Sequence, residues 1–262
     1  QEEVRDPSRI PEVLNRVIMK AWRGSAPAQM NIPRDMWTQV IDVELPQMVR
    51  FERPAGGEQA IAKAADLLSK ARFPVILSGA GVVLSGAIPD LAKLAERLDA
   101  PVCSNYQHND SFPGSHPLAV GPLGYNGSKA AMELIAKADV VLALGTRLNP
   151  FSTLPGYGID YWPKNADVIQ VDINADRIGL TKKVTVGIEG DATKVARAIL
   201  AQLSDDAGDA GRQDRRNLVS LTKSRWAQEL SSLDHEEDDP GTVWNEESRK
   251  RDADLMLSLI HI

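Results

Sequence analysis

A chain of 262 residues with 43% hydrophobic and 25% charged residues carries enough apolar material for a full globular core. The formal net charge of -6, with no basic cluster, excludes a protein that grips nucleic acid by neutralising its phosphates. One cysteine, Cys103, rules out a disulfide framework or a cysteine-built zinc site within the chain and fits a reducing compartment. No apolar run approaches a membrane span, and residues 1–9 lack the apolar stretch of a secretory leader, so the expected setting is cytoplasmic, without membrane contact.

In chain order, Val13, Leu14, Val17 and Ile18 predict a helix over 10–22, preceded by Ser8. A short strand is expected within 25–35, running into the turn at Pro33. One helix and one strand cannot close a core, so residues 1–40 read as the tail of a larger domain. Pro46, Pro54 and Gly56-Gly57 mark 41–56 as a linker. From 57 to 203 the pattern is regular. Ile61, Ala64, Ala65 and Leu68 mark a helix, 74–78 a strand, Leu91, Leu94, Ala95 and Leu98 a second helix, and 101–104 a second strand. After a long loop come a helix over 130–137, strands over 139–144, 167–172 and 184–188, and a helix over 192–203. Continuous apolar strands such as Val140-Val141-Leu142-Ala143-Leu144 suit a parallel sheet covered on both faces, so the fold class is α/β, doubly wound. Residues 204–213 read as a linker. Leu218, Leu221, Trp226 and Leu230 predict a last helix, before the acidic run 234–239 around His235, which reads as solvated rather than metal-binding. The apolar run 255–262 breaks the pattern and reads as the mark of truncation or of out-of-frame, non-native sequence.

Gly79-Ala80-Gly81 after a strand allows either a close turn or a nucleotide cleft. The dinucleotide fingerprint fails, because Leu84 stands where its third glycine belongs and Cys103-Ser104-Asn105-Tyr106 lacks the acidic residue. NAD is therefore disfavoured. Gly145-Thr146-Arg147 ends the strand expected beside Gly79; Arg147 either meets an anion or pairs with a loop carboxylate, and Asp172 either accepts a ribose hydroxyl or caps a turn. In the loop 106–117, His108 with Asn109 is the candidate for proton transfer, against the plainer reading of a hydrogen-bonded loop histidine, while His116 before Pro117 reads as a turn residue. Tyr125 and Asn126, among glycines 121, 124 and 127, either line a cleft or satisfy loop carbonyls. The aromatic loop 150–163 suits a cleft or, preferentially, a subunit interface. No metal site is read.

This ordered set resembles the thiamine diphosphate (ThDP) dependent enzymes. Residues 27–35 resemble the closing strand of their pyrimidine-binding domain, and Phe73-Pro74-Val75-Ile76-Leu77-Ser78-Gly79-Ala80-Gly81 the first strand of their central domain. Phe112-Pro113-Gly114-Ser115-His116-Pro117, Gly145-Thr146-Arg147 and Val171-Asp172-Ile173-Asn174 are similar to its later landmarks, shared with acetolactate synthases. The wording Ser104-Asn105-Tyr106-Gln107-His108-Asn109-Asp110, Arg147-Leu148-Asn149-Pro150-Phe151 and Asp238-Asp239-Pro240-Gly241-Thr242 resembles the sulfoacetaldehyde acetyltransferase branch. The resemblance implies a cytoplasmic homo-oligomer, dimer or tetramer, in which ThDP and Mg2+ serve cleavage of sulfoacetaldehyde to sulfite and transfer of the two-carbon unit to phosphate as acetyl phosphate. It also implies a glutamate that activates the cofactor and a Gly-Asp-Gly motif followed by Asn that holds magnesium. Neither stands in this sequence: Gly190-Asp191 is followed by Ala192. The expectation is thus an inactive interior piece: the end of a pyrimidine-binding domain (1–40), a linker (41–56), a central domain (57–203), and the approach to a diphosphate-binding domain (204–262). In some relatives the central domain binds FAD or ADP, which the sequence leaves open. The alternatives are a nucleotide-binding module and a structural domain that cements an oligomer.

Overall fold

The structure, a computed structural model, describes residues 1–24, 26–47 and 52–231. The expectations placed on Ser25, residues 48–51, the acidic run with His235, the motif at 238–242 and the apolar run 255–262 lie outside the described residues. The chain forms two compact units, the first being Gln1–Arg53 and the second beginning at Pro54.

In the first unit, β1 (Glu2–Glu3) pairs in parallel with β2 (Met30–Asn31), and the connection between them is α1 (Ile10–Gly24). The helix is entered through a 3-10 turn at Pro7–Arg9 whose cap is Asp6, accepting the Ser8 amide at 2.9 Å; the start signal thus lies two residues before the serine that suggested it. Val4, Val13 and Val17 form a small core, whereas Leu14 and Ile18 remain more than two-fifths exposed.

The second unit contains α2 (Glu58–Lys70), β3 (Pro74–Ser78), α3 (Ala80–Ser85), α4 (Ile88–Leu98), β4 (Val102–Asn105), β5 (Ala119–Leu123), α5 (Lys129–Ile135), β6 (Val140–Leu144), β7 (Asp167–Asp172), β8 (Val186–Glu189), α6 (Ala192–Gln202) and α7 (Arg212–Ser231). Its six strands form one sheet in the order β5-β4-β3-β6-β7-β8, every pairing parallel. The chain therefore builds outward from β3 through α3 and α4, returns along α5, and builds outward from β6 the other way. The direction reverses between β3 and β6, where doubly wound sheets leave a crevice at the strands' carboxyl ends.

Period-two alternation divides the core. Ile76, Leu142, Leu144, Ile169 and Val171 face one layer, built by α2, α4 and α6, while Val75, Leu77, Val141, Ala143 and Val168 face α5, Val219 of α7 and the loop residue Tyr161. Helix spacing supplies the matching faces: Ile61, Ala64, Ala65 and Leu68 on α2, and Ala192, Val195, Ala196 and Ile199 on α6. Pro89 near the start of α4 costs no hydrogen bond, and Asp99 ends that helix in the left-handed conformation.

Three elements go beyond the sequence reading. The strands β1 and β5 have weak signals: β1 has two residues, and β5 is interrupted by Gly121 and Pro122 at the sheet edge, where proline is tolerated. The helix α3 is only six residues long. Residues 204–211 are packed against α4. Arg97 donates to the carbonyls of Ser204, Asp205 and Ala207 at 2.6–2.7 Å, and Ala207 is fully buried.

Candidate functional site

Glycine makes the crevice between β3 and β6 possible and also closes it. A Cβ on Gly81 would lie 2.6 Å from Gly145 Cα, one on Gly79 would lie 2.7 Å from both Asn105 Nδ2 and Thr146 Cβ, and Gly145 itself has φ +63°. The amides are committed as well: Gly79 donates to Leu144 O at 3.1 Å, Gly81 to Gly145 O at 2.8 Å, and Val82 to Gly79 O at 3.0 Å. The Gly79-Ala80-Gly81 turn therefore packs two backbones together, and three amides that would otherwise face a phosphate are already satisfied within the chain.

Around this contact the carboxyl ends of β4, β6 and β7 are tied by a buried polar chain. Asn105 Nδ2 donates to Thr146 Oγ1 at 2.9 Å, and that oxygen also accepts the Leu148 amide at 3.1 Å. Gln170, 1% exposed, donates to Thr146 O and Arg177 O at 3.1 Å and accepts the Gly179 amide at 2.8 Å. One atom of this polar network is left over: Asn105 Oδ1 is buried and, among the described residues, has no hydrogen-bond partner. Neither Asn105 nor Gln170 stood out by chemistry in the sequence. Gln170 did carry a signal, as a lone polar residue inside the apolar run Val168-Ile169-Gln170-Val171.

Asp172 ends β7 with its carboxylate buried and accepting the Asn174 amide at 2.9 Å, the turn-capping arrangement. Burial raises its pKa above the ordinary carboxylate value, partly offset by that amide and by the charges of Arg177 and Arg147. Arg147 itself is exposed. The structure thus gathers Gly79, Ala80, Gly81, Arg147 and Asp172 at one end of the sheet.

The loop candidates divide differently. Asn109 Oδ1 accepts Ser104 Oγ at 3.1 Å and anchors the turn after β4, which a buried Ser78–Ser111 hydroxyl pair fastens to β3. His108, on the same turn, has its ring 3.7 Å from Asp110 and donates its amide to Asn105 O at 2.9 Å. Tyr125 and Asn126 are exposed in the loop after β5, with Tyr125 donating its amide to Phe151 O at 2.9 Å and Asn126 in the left-handed conformation. His116 is a turn residue: Nδ1 accepts the Leu118 amide at 3.1 Å and the ring packs on Phe112 at 4.8 Å. The aromatic loop lies against α5 and α7. Tyr157 donates to Gly127 O at 3.0 Å and meets Trp226 edge-on, Tyr161 is buried, and Phe151 and Tyr157 stay about half exposed.

The chemistry available here is binding and support. Cys103, the only thiol, is fully buried and its pKa is pushed far up by that burial, which removes it as a nucleophile. Among the described residues, no three His, Cys, Asp or Glu side chains gather as a metal site requires, and no helix is long and apolar enough to cross a membrane. Asp191 is spent on capping α6, its Oδ1 accepting the amides of Thr193 and Lys194.

Comparison with known proteins gives a consistent picture. The family described as "Thiamine pyrophosphate enzyme, central domain" matches residues 61–199. The chain is 76% identical over 256 residues to a "Probable sulfoacetaldehyde acetyltransferase" of Rhizobium meliloti (strain 1021), covering 98% of this chain and 43% of that protein. It is 72% identical to a "Sulfoacetaldehyde acetyltransferase" of Roseovarius nubinhibens, covering 98% of this chain and 42% of that one. The chain thus spans less than half the length of these relatives. Among solved structures, benzoylformate decarboxylase from Polynucleobacter necessarius shares the fold with a TM-score of 0.66 at 21% identity, over 80% of this chain and 39% of that one.

Proposed function

Because this chain belongs to the thiamine pyrophosphate enzymes through their central domain, we propose that it is the middle portion of an acyltransferase acting on sulfoacetaldehyde. The observation that carries this reading is the 76% identity that runs along 98% of the chain, well beyond the 61–199 core. The reaction proposed for the longer protein is sulfoacetaldehyde plus phosphate to acetyl phosphate plus sulfite, in the cytoplasm, by a dimer or tetramer. Thiamine diphosphate, when bound with Mg2+, supplies the carbanion chemistry.

The residues of this chain do not fit the grip on that cofactor. Asp191, the acidic residue of Gly190-Asp191-Ala192, is 8% exposed and bonded to the first amides of α6, which leaves it unsuited to a metal. We assign cofactor binding to other parts of the longer protein and scaffold duty to this domain, with the half-exposed Phe151 and Tyr157 and the neighbouring Tyr125 as its contact surface toward a neighbouring domain or subunit. The test is to express the longer reading frame and measure sulfite and acetyl phosphate from sulfoacetaldehyde. Equimolar products that require ThDP and phosphate support the reading. Silence with sulfoacetaldehyde, alongside acetolactate made from pyruvate, transfers the chain to the acetolactate synthases.

One observation favours an additional ligand in the crevice, namely the orphaned Asn105 Oδ1 beside Gly79. A nucleotide such as FAD or ADP offers donors for it and ribose hydroxyls for Asp172. Titration of FAD, ADP and NAD into wild type and N105A decides this: saturable binding lost in N105A supports it, and no binding leaves the domain a scaffold.

A further inference from the structure

At the end of the sheet opposite the crevice, a cavity of about 630 Å³ opens between the last turn of α4, the segment leading into β5, and one face of α7. Leu118, Pro117 and the buried Val219 give it an apolar floor. Arg216, Ser220, Lys223 and Ser224 line its α7 wall, at helical spacing that sets them on one face.

The charges in this cavity are unevenly partnered. Asp99 Oδ2 accepts Arg216 Nε at 2.9 Å. Glu96 faces His116 Nε2 at 3.2 Å; since Nδ1 of that ring accepts the Leu118 amide, the proton sits on Nε2 and is donated to Glu96. Both carboxylates are therefore engaged. Lys223 is not: its ammonium donates to Pro117 O at 2.9 Å, and among the described residues no carboxylate pairs with it. Burial alone lowers its pKa, as expected for a cation partly removed from water without a counter-charge. Ser220 and Ser224 line the same wall, and their hydroxyls have no protein partner among the described residues. The lining thus carries two cations, Arg216 and Lys223, and two carboxylates, Asp99 and Glu96, and Lys223 is the cation left without a charged partner among the described residues.

We propose that this cavity binds a small phosphate monoester, with the anion on Lys223, Ser220 and Ser224 and the organic body on Leu118 and Val219. An ammonium with two unused N–H donors beside two hydroxyls suits an oxyanion, whose charge-assisted hydrogen bonds are the stronger kind. The volume exceeds what inorganic phosphate needs and falls in the range of small-molecule sites, and the apolar floor gives the excess a use. The site is independent of the crevice and of the acyl-transfer reading.

The experiment is calorimetric titration of phenyl phosphate and of inorganic phosphate into the full chain, as wild type, K223M and the double variant S220A/S224A. The expected result is saturable phenyl phosphate binding, roughly tenfold tighter than inorganic phosphate because the ring is buried. K223M weakens it by about tenfold or more through loss of the charged donor, and the serine pair weakens it several-fold. Both serines are exposed, so the double variant keeps the wild-type melting curve and decides the matter should K223M fold poorly. No saturable heat up to about 10 mM phenyl phosphate, an affinity only for millimolar ligand or worse, overturns the proposal. So does binding that both variants leave unchanged, or phenyl phosphate binding no tighter than inorganic phosphate.

Discussion

Arg215 is the residue on which the second unit closes. It is 1% exposed, and its five N–H donors reach five main-chain carbonyls: Nε to Asp99, Nη1 to Arg72 and Ala210, and Nη2 to Leu98 and Gly208, at 2.5–3.0 Å. Two of those carbonyls end α4, where the helix dipole favours a cation, and the side chains of Asp99 and Asp139 are the nearby negative charges. Methionine in its place removes the side-chain donor from five carbonyls, of which, among the described residues, only Gly208 O keeps another, from Arg212 Nε at 3.2 Å, so R215M is expected to cost at least about 3 kcal/mol in urea unfolding. R215K recovers only part of this, because an ammonium has three donors for five carbonyls. A loss under about 1 kcal/mol contradicts the clamp. Asp172 makes a second prediction. Its pKa is raised in the fold, so the folded state holds the proton more tightly than the unfolded chain; the stability from this group is fully present below the ordinary value of 3.8 and is lost as pH rises through the higher folded value. Denaturant unfolding of wild type and D172N from pH 7 downward should show wild type gaining on the variant as the carboxyl protonates. A difference that stays flat with pH removes the burial argument.

At the scale of elements, the central strands are the ones to test. β3 is paired on both sides, with β4 and β6, and every residue of β3 and β6 is buried, whereas β5 and β8 are edges, β5 only partly buried and β8 alternating between buried and exposed. Native-state hydrogen exchange should therefore place the amides of Leu77, Leu142 and Ala143 at the slowest, globally opening limit, and those of β5 well above it in rate. Equal rates across all six strands would contradict the layered core. These same elements explain what the sequence made legible. Continuous apolar runs such as Val140-Val141-Leu142-Ala143-Leu144 state a doubly covered strand directly, and Ile61, Ala64, Ala65 and Leu68 state a helix face. Strand β5 was hidden because Gly121 and Pro122 carry turn chemistry that an edge position tolerates. On α7 the buried stripe is Arg215, Val219 and Thr222, with Leu221 65% exposed, so hydrophobicity named the helix but not the face it buries. That face is chosen by the carbonyls waiting for Arg215, which no local pattern shows. The crevice divides in the same way. Gly79, Gly81 and Gly145 could be read as a close approach, while the Asn105–Thr146–Gln170 chain depends on strand order and is invisible until β4, β6 and β7 are set around β3.

At the scale of the whole molecule, scaffold and chemistry fall to different parts in the function proposed. The second unit builds a doubly wound sheet whose reversal point is sealed by backbone contact, and Asp172, at the end of β7, and Asp191, the cap of α6, are occupied by local amides. Membership in the thiamine pyrophosphate enzymes rests on their central domain, in a chain that spans 43% of its relative from Rhizobium meliloti, and the grip on the cofactor is the part proposed to lie elsewhere in the longer protein. Calorimetric titration of thiamine diphosphate with Mg2+ into this chain tests that division most directly. The account predicts no saturable binding, and a micromolar dissociation constant, on the order of -8 kcal/mol, would contradict it.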